Sequence, residues 1–173
     1  LDPRDFGLMG IALLTLSVIQ NVSQLGLDDA LIQAEEADVD DELDTYWVLK
    51  SARGIILAGI VVAAAPAVGG FFSEPRAIDI LAFVALSPLL MGLKNPGIVY
   101  FEKDLDFHRL FLYRVSGTVV YVSVAVGYAL VEPTVWALVL AYVGQDATRL
   151  VMSYLMSGYR PSISFDLDVA KRR

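Results

Sequence analysis

GIILAGIVVAAAPAVGGFFS, from Gly54 to Ser73, runs 20 residues without one charged side chain. An α-helix needs about 20 mostly apolar residues to cross roughly 30 Å of bilayer hydrocarbon, so this segment meets the length requirement by itself. A helix on the surface of a soluble protein carries an apolar stripe and a polar back, whereas Ile55 to Val68 has no polar face at all. Gly59 and Pro66 interrupt it; both are costly in a helix in water but tolerated in a membrane span. The segment predicts a transmembrane helix.

Four more stretches extend this reading in both directions. Phe6 to Leu27 is 22 residues without a charge, Ile80 to Phe101 is 22 broken only by Lys94, and Leu110 to Val131 is 22 broken only by Arg114. Pro133 to Tyr159 is 27 residues containing Asp146 and Arg149, which stand three apart and so share a helix face where they can partly neutralise each other. The expectation is an all-α polytopic membrane protein of about five transmembrane helices. The spans fall at residues 6–27, 46–73, 78–101, 110–131 and 133–159, with 160–173 as a cytoplasmic tail and 1–173 as one transmembrane domain. The first span lacks the basic leader and cleavage site of a secretory signal and reads as permanent.

Composition agrees. Of 173 residues 56% are hydrophobic and only 19% charged, with a mean hydropathy of +0.58, against about 45–50% apolar and about 25% charged in ordinary soluble domains. The net charge of −7 and pI near 4.6 speak against nucleic acid as a partner, because phosphate backbones are met by basic stripes. There is no cysteine, and His108 is the single histidine, which argues against disulfides, thiolate chemistry and the usual zinc sites. No cofactor motif, metal cluster or nucleophile and base pair is expected, and the chain does not read as an enzyme.

Basic residues are unevenly placed. Lys50, Arg53, Lys103, Arg109, Arg114, Arg160, Lys171, Arg172 and Arg173 flank one side of the expected spans, and Arg4 and Arg76 the other. The positive-inside rule puts the richer side in the cytoplasm. The expected location is the plasma or inner membrane. The run from Asp28 to Asp44, with nine carboxylates and no base, lacks the ligand spacing of a calcium loop and reads as a solvated cytoplasmic connection.

Ionisable residues inside spans cost about 2.5–3.5 kcal/mol at a helix centre and are functional candidates by default. Arg53, Lys94, Arg114 and Arg149 lie on four different expected helices. Together they could line a cavity open to the cytoplasm and bind an anionic headgroup. Asp146 and Arg149 form a candidate ion or structural pair. Lys50 sits near a helix end, where a long side chain can snorkel to the headgroups. Gln20, Asn21 and Gln24 make a polar patch suited to interhelical hydrogen bonds.

Five short motifs in order then carry a resemblance: Pro3 to Leu8 (PRDFGL), Gln24 to Gln33 (QLGLDDALIQ), Phe71 to Pro75 (FFSEP), Phe101 to Phe107 (FEKDLDF) and Val135 to Leu138 (VWAL). The chain resembles the N-terminal portion of the polysaccharide and oligosaccharide flippases in the multidrug/oligosaccharidyl-lipid/polysaccharide exporter superfamily, similar to the colanic acid and teichuronic acid exporters. The resemblance implies a partial N-terminal lobe holding the second to sixth helices of an exporter bundle. It also implies translocation of a polyprenyl-linked oligosaccharide by alternating access, with a lipid-linked glycan and membrane lipids as partners. Since one lobe has nothing to rock against, the chain is expected to work with the remainder of a transporter or a second copy. Two other readings stand beside it. One is a cation-coupled small-molecule exporter of the same superfamily, with Asp146 as a proton or sodium site, and the other a non-transporting membrane scaffold.

Overall fold

The computed structural model describes residues 1–23 and 39–161. Most of the acidic connection, Gln24, the second motif and the tail beyond Pro161 lie outside the described residues. Among the described residues the chain is helical throughout: α1 (Pro3–Ser23), α2 (Val39–Phe71), α3 (Arg76–Val84), α4 (Leu86–Gly92), a 3-10 turn at Pro96–Ile98, α5 (Val99–Lys103), α6 (Phe107–Val131) and α7 (Trp136–Met156). The expected all-α membrane architecture is borne out. Leu43–Phe71 and Phe107–Val131 are each long and apolar enough to cross a bilayer, and Arg76 to Lys103 adds a third if its bent halves form one span. At 21 residues each, α1 and α7 are about 32 Å long at 1.5 Å per residue.

Local chemistry sets the helix ends. Asp2 Oδ1 accepts from the backbone nitrogens of Arg4 and Asp5, while Asp5 Oδ2 accepts from Asp2 N at 3.1 Å. This reciprocal box satisfies donors that a helix start otherwise leaves open, and Pro3 fits the first turn. The motifs Phe71 to Pro75 and Phe101 to Phe107 build the same device twice. At the first, Glu74 N bonds Gly69 O at 2.9 Å and Ser73 N bonds Gly70 O at 3.2 Å; at the second, Asp106 N bonds Phe101 O at 2.9 Å and Leu105 N bonds Glu102 O at 3.3 Å. Both are Schellman endings, with Ser73 (φ 53°) and Leu105 (φ 52°) in the left-handed region usually given to glycine. Asp106 then caps α6 by accepting from Arg109 N.

The expected span at 78–101 is not one rod. Its halves, Arg76–Gly92 and Pro96–Lys103, meet at 65°. Pro96 has no N–H to continue the ladder, and groups at Leu93 and Asn95 find partners in neighbouring elements. Leu93 O accepts from Trp47 Nε1 on α2 and from Tyr154 Oη on α7 at 3.0 Å. Asn95 N donates to Ser153 Oγ, Asn95 Nδ2 donates to Tyr159 O, and Asn95 Oδ1 accepts from Gly97 N. Irregular backbone at membrane depth is tolerated when protein satisfies it in this way.

The apolar core joins Leu8, Ala12 and Leu16 of α1 to Val61 and Ala65 of α2, Ile80, Leu81 and Val84 of α3, and Val139 of α7. The Phe83 and Trp136 rings meet edge to face at 5.6 Å. By contrast, α6 packs chiefly on α7 and turns Phe111, Val119, Val122, Val126 and Leu130 outward. The ends alternate. The Leu1 nitrogen lies 2.8 Å from Pro133 O beside the α6–α7 turn, while at the opposite end Tyr159 Oη bonds Asp44 at the start of α2.

Candidate functional site

Glycines set the site by bringing α2 and α4 into close contact. A Cβ at Gly54 would fall 2.6 Å from Pro88 O, and one at Gly92 would fall 2.8 Å from Lys50 O. Ser51 Oγ donates to Gly92 O across this crossing. Beside it opens a cleft of about 250 Å³ lined by Gln20 of α1, Lys50, Arg53 and Leu57 of α2, Pro88 and Met91 of α4, and Lys94 just beyond α4. Lys50 and Arg53 are three residues apart on one helix, so both side chains reach the same face. The Lys50 ammonium donates to Tyr46 Oη at 3.1 Å, and Arg53 Nη2 lies 3.5 Å from Gln20 O.

Lys94 connects the cleft to a buried polar layer behind it. Its Nζ lies 3.5 Å from Asp146 Oδ1, with side-chain exposures of 12% and 6%. Ser87 Oγ donates to Asp146 Oδ2. Arg149 goes elsewhere. In the orientation its hydrogen bonds dictate, the Gln145 amide oxygen accepts from Arg149 Nη2 at 2.9 Å and Nη1 at 3.0 Å. Arg149 Nε is buried without a hydrogen-bond partner, pressed into the space left by Gly117, where a Cβ would lie 2.8 Å from it.

The four expected site cations therefore divide. Arg53 and Lys94 meet in one cleft, as the charge reading requires. Arg149 sits near Lys94, within its electrostatic reach, but not among the cleft residues. Arg114 is on the exposed side of α6, 3.4 Å from Glu102, because α6 packs on α7 and does not border the cleft. The expected Asp146 and Arg149 pair is corrected as well. Sequence spacing favours i, i+3 partners on α7, but the packing of α4 on α7 delivers Lys94 to Asp146 first. Sequence reasoning underweighted Lys50, whose signal was its i, i+3 spacing to Arg53, and it did not single out Ser87.

The whole chain, residues 1–173, matches the family described as polysaccharide biosynthesis protein. The chain is 22% identical over 169 residues to lipopolysaccharide biosynthesis protein WzxC of Escherichia coli (strain K12), covering 96% of this chain and 34% of that protein. It is also 22% identical over 170 residues to succinoglycan biosynthesis transport protein ExoT of Rhizobium meliloti (strain 1021), again 96% of this chain and 34% of that protein. The chain thus spans about a third of the length of these relatives. No solved structure matches it significantly. The match over all 173 residues, with helices long and apolar enough to cross a bilayer, makes this chain a member of the polysaccharide biosynthesis protein family and a multi-pass protein of the cell membrane.

Proposed function

We propose that this chain supplies the headgroup-binding part of a flippase that translocates a lipid-linked oligosaccharide, carried on a polyprenyl phosphate or pyrophosphate, during polysaccharide biosynthesis. The observation that carries the reading is the convergence of Lys50, Arg53 and Lys94 on one cleft between α1, α2 and α4. Cations in a low-dielectric cleft focus the field on an anion, and an Arg fork suits phosphate oxygens. At about 250 Å³ the cleft lies just below the roughly 300–1,000 Å³ typical of pockets for drug-sized ligands. It has room for phosphate groups and not for an oligosaccharide, so the glycan and the lipid tail extend beyond it. One of the two named relatives, ExoT, is described as a transport protein, which agrees with this reading. Binding and reorientation need no bond-making chemistry, so the chain works as a carrier and not as an enzyme.

The experiment is complementation. Full-length protein with Lys50, Arg53 and Lys94 changed to Gln is expressed in a strain lacking it, and lipid-linked glycan is quantified in each leaflet. The reading expects inner-leaflet accumulation and loss of surface polysaccharide at normal protein levels. Normal export with all three charges removed would overturn it.

A further inference from the structure

Lys50 has two places to go. It stands seven residues into the span that begins at Leu43, about 10 Å along at 1.5 Å per residue, where a long basic side chain can run out to the headgroups. Instead it lines the cleft with Arg53 and Lys94. Tyr46, one turn earlier on the same helix face, supplies the hold. Its Oη accepts from the Lys50 ammonium at 3.1 Å. Its ring centroid lies 5.2 Å from Lys50 Nζ, inside the roughly 6 Å over which an aromatic face attracts a cation.

Tyr46 is itself held. It is buried with Leu43 and Val99 in a small core, against which Tyr100 and Tyr159 pack. Tyr159 belongs to a strap, residues 157–161, that leaves α7 in extended backbone at Ser157. The strap lies on the 3-10 turn. Asn95 Nδ2 donates to Tyr159 O at 2.8 Å, and a Cβ at Gly97 would fall 2.8 Å from Tyr159 Cβ, so only glycine admits the strap there. Tyr159 Oη donates to Asp44, two residues before Tyr46 on α2. The strap thus ties down the stretch of α2 that carries Tyr46. A fixed ring and hydroxyl then hold the end of a flexible lysine stem, and a cation aimed beforehand loses less side-chain freedom when an anion arrives.

We propose that Tyr46 is a positioning residue for anion binding, keeping Lys50 turned into the cleft, and that the strap at residues 157–161 keeps Tyr46 in place, an inference that rests on the headgroup reading of that cleft. With the strap seated, Lys50 acts on the ligand together with Arg53 and Lys94. With the strap lifted, Tyr46 loses its support and the Lys50 ammonium runs out to the headgroups, leaving Arg53 and Lys94. A segment that does not line the cleft therefore sets how strongly the cleft holds its anion.

The test titrates full-length protein in lipid nanodiscs with inorganic pyrophosphate. Tyr46→Leu should weaken binding about tenfold, within the range of a partly desolvated cation–π contact. Tyr46→Phe keeps the ring and removes one hydrogen bond, and should weaken it about threefold. In a Lys50→Gln background each change should alter affinity by less than about twofold, because the cation it aims is gone. Losses of the same size in that background would make Tyr46 a packing residue and overturn the proposal. A second readout is the rate at which a water-soluble amine reagent acylates each lysine of the folded protein, followed by mass spectrometry. Tyr46→Phe and Tyr159→Ala should each raise the rate at Lys50 and leave that at Lys94 unchanged. An unchanged Lys50 rate in Tyr46→Phe overturns the positioning role, and an unchanged rate in Tyr159→Ala overturns the part given to the strap. An equal rise at Lys94 means general loosening and overturns both, while the headgroup reading survives. Failure of the unmodified protein to bind pyrophosphate overturns that reading and the proposal with it.

Discussion

Replacing Lys94 with Met keeps most of the side-chain volume and removes the charge, which isolates its pairing with Asp146. At 3.5 Å the gross Coulomb attraction is about 5 kcal/mol for an effective dielectric constant of about 20, a figure that desolvation largely offsets. The measurable effect is the asymmetry. Removing one member of a buried pair costs about 3–5 kcal/mol, because the other is left uncompensated, whereas replacing both together is far milder. Lys94→Met is therefore expected to destabilise by about 3–5 kcal/mol, and the double change Lys94→Met with Asp146→Asn by less than the single one. A double-mutant cycle on unfolding in detergent micelles should give a coupling of at least about 2 kcal/mol. Single changes costing under about 1 kcal/mol that add without coupling would refute the pairing and its energetic role.

Gly92→Leu places a side chain against Lys50 O and the Gly54 Cα, and overpacking of this kind costs about 1–3 kcal/mol; thermal unfolding should show the loss, with weaker pyrophosphate binding as α4 is pushed off α2. Ser73 and Leu105 hold left-handed backbone that disfavours side-chain-bearing residues by about 1–2 kcal/mol. After the entropy cost of glycine, Ser73→Gly and Leu105→Gly should each stabilise by about 0.5–1 kcal/mol, readable as a higher melting temperature. Arg114→Ala removes an exposed pair with Glu102, 66% and 37% exposed, so stability should change by less than about 1 kcal/mol and surface polysaccharide should stay near normal.

The helical membrane architecture was legible because hydropathy acts locally: Gly54 to Ser73 has no polar face whatever its neighbours are. The break at Lys94 to Pro96 has an equally local cause, the missing proline N–H, but its consequences were not legible. That Trp47 and Tyr154 would both donate to Leu93 O, and that Ser153 would receive Asn95 N, depends on which helices pack, and α2 and α7 are far apart in sequence. Charge pairing failed similarly. Spacing on α7 pointed from Asp146 to Arg149, but the shorter reach came from Lys94, 52 positions earlier. Arg114 looked equivalent to Arg53 in sequence, both being basic residues near a span end. Only the lateral position of α6 against α7 separates them.

The central claim is that the cleft between α1, α2 and α4 receives the charged headgroup of a lipid-linked glycan. Its most direct test is photocrosslinking in membranes containing radiolabelled lipid-linked oligosaccharide, with a photoactivatable residue at Met91, which lines the cleft, or at Val122, on the outward face of α6. The account predicts strong labelling from Met91 that disappears when Lys50, Arg53 and Lys94 are changed to Gln, with only background labelling from Val122. Equal labelling at the two positions, or labelling from Met91 that survives removal of the three charges, would contradict it.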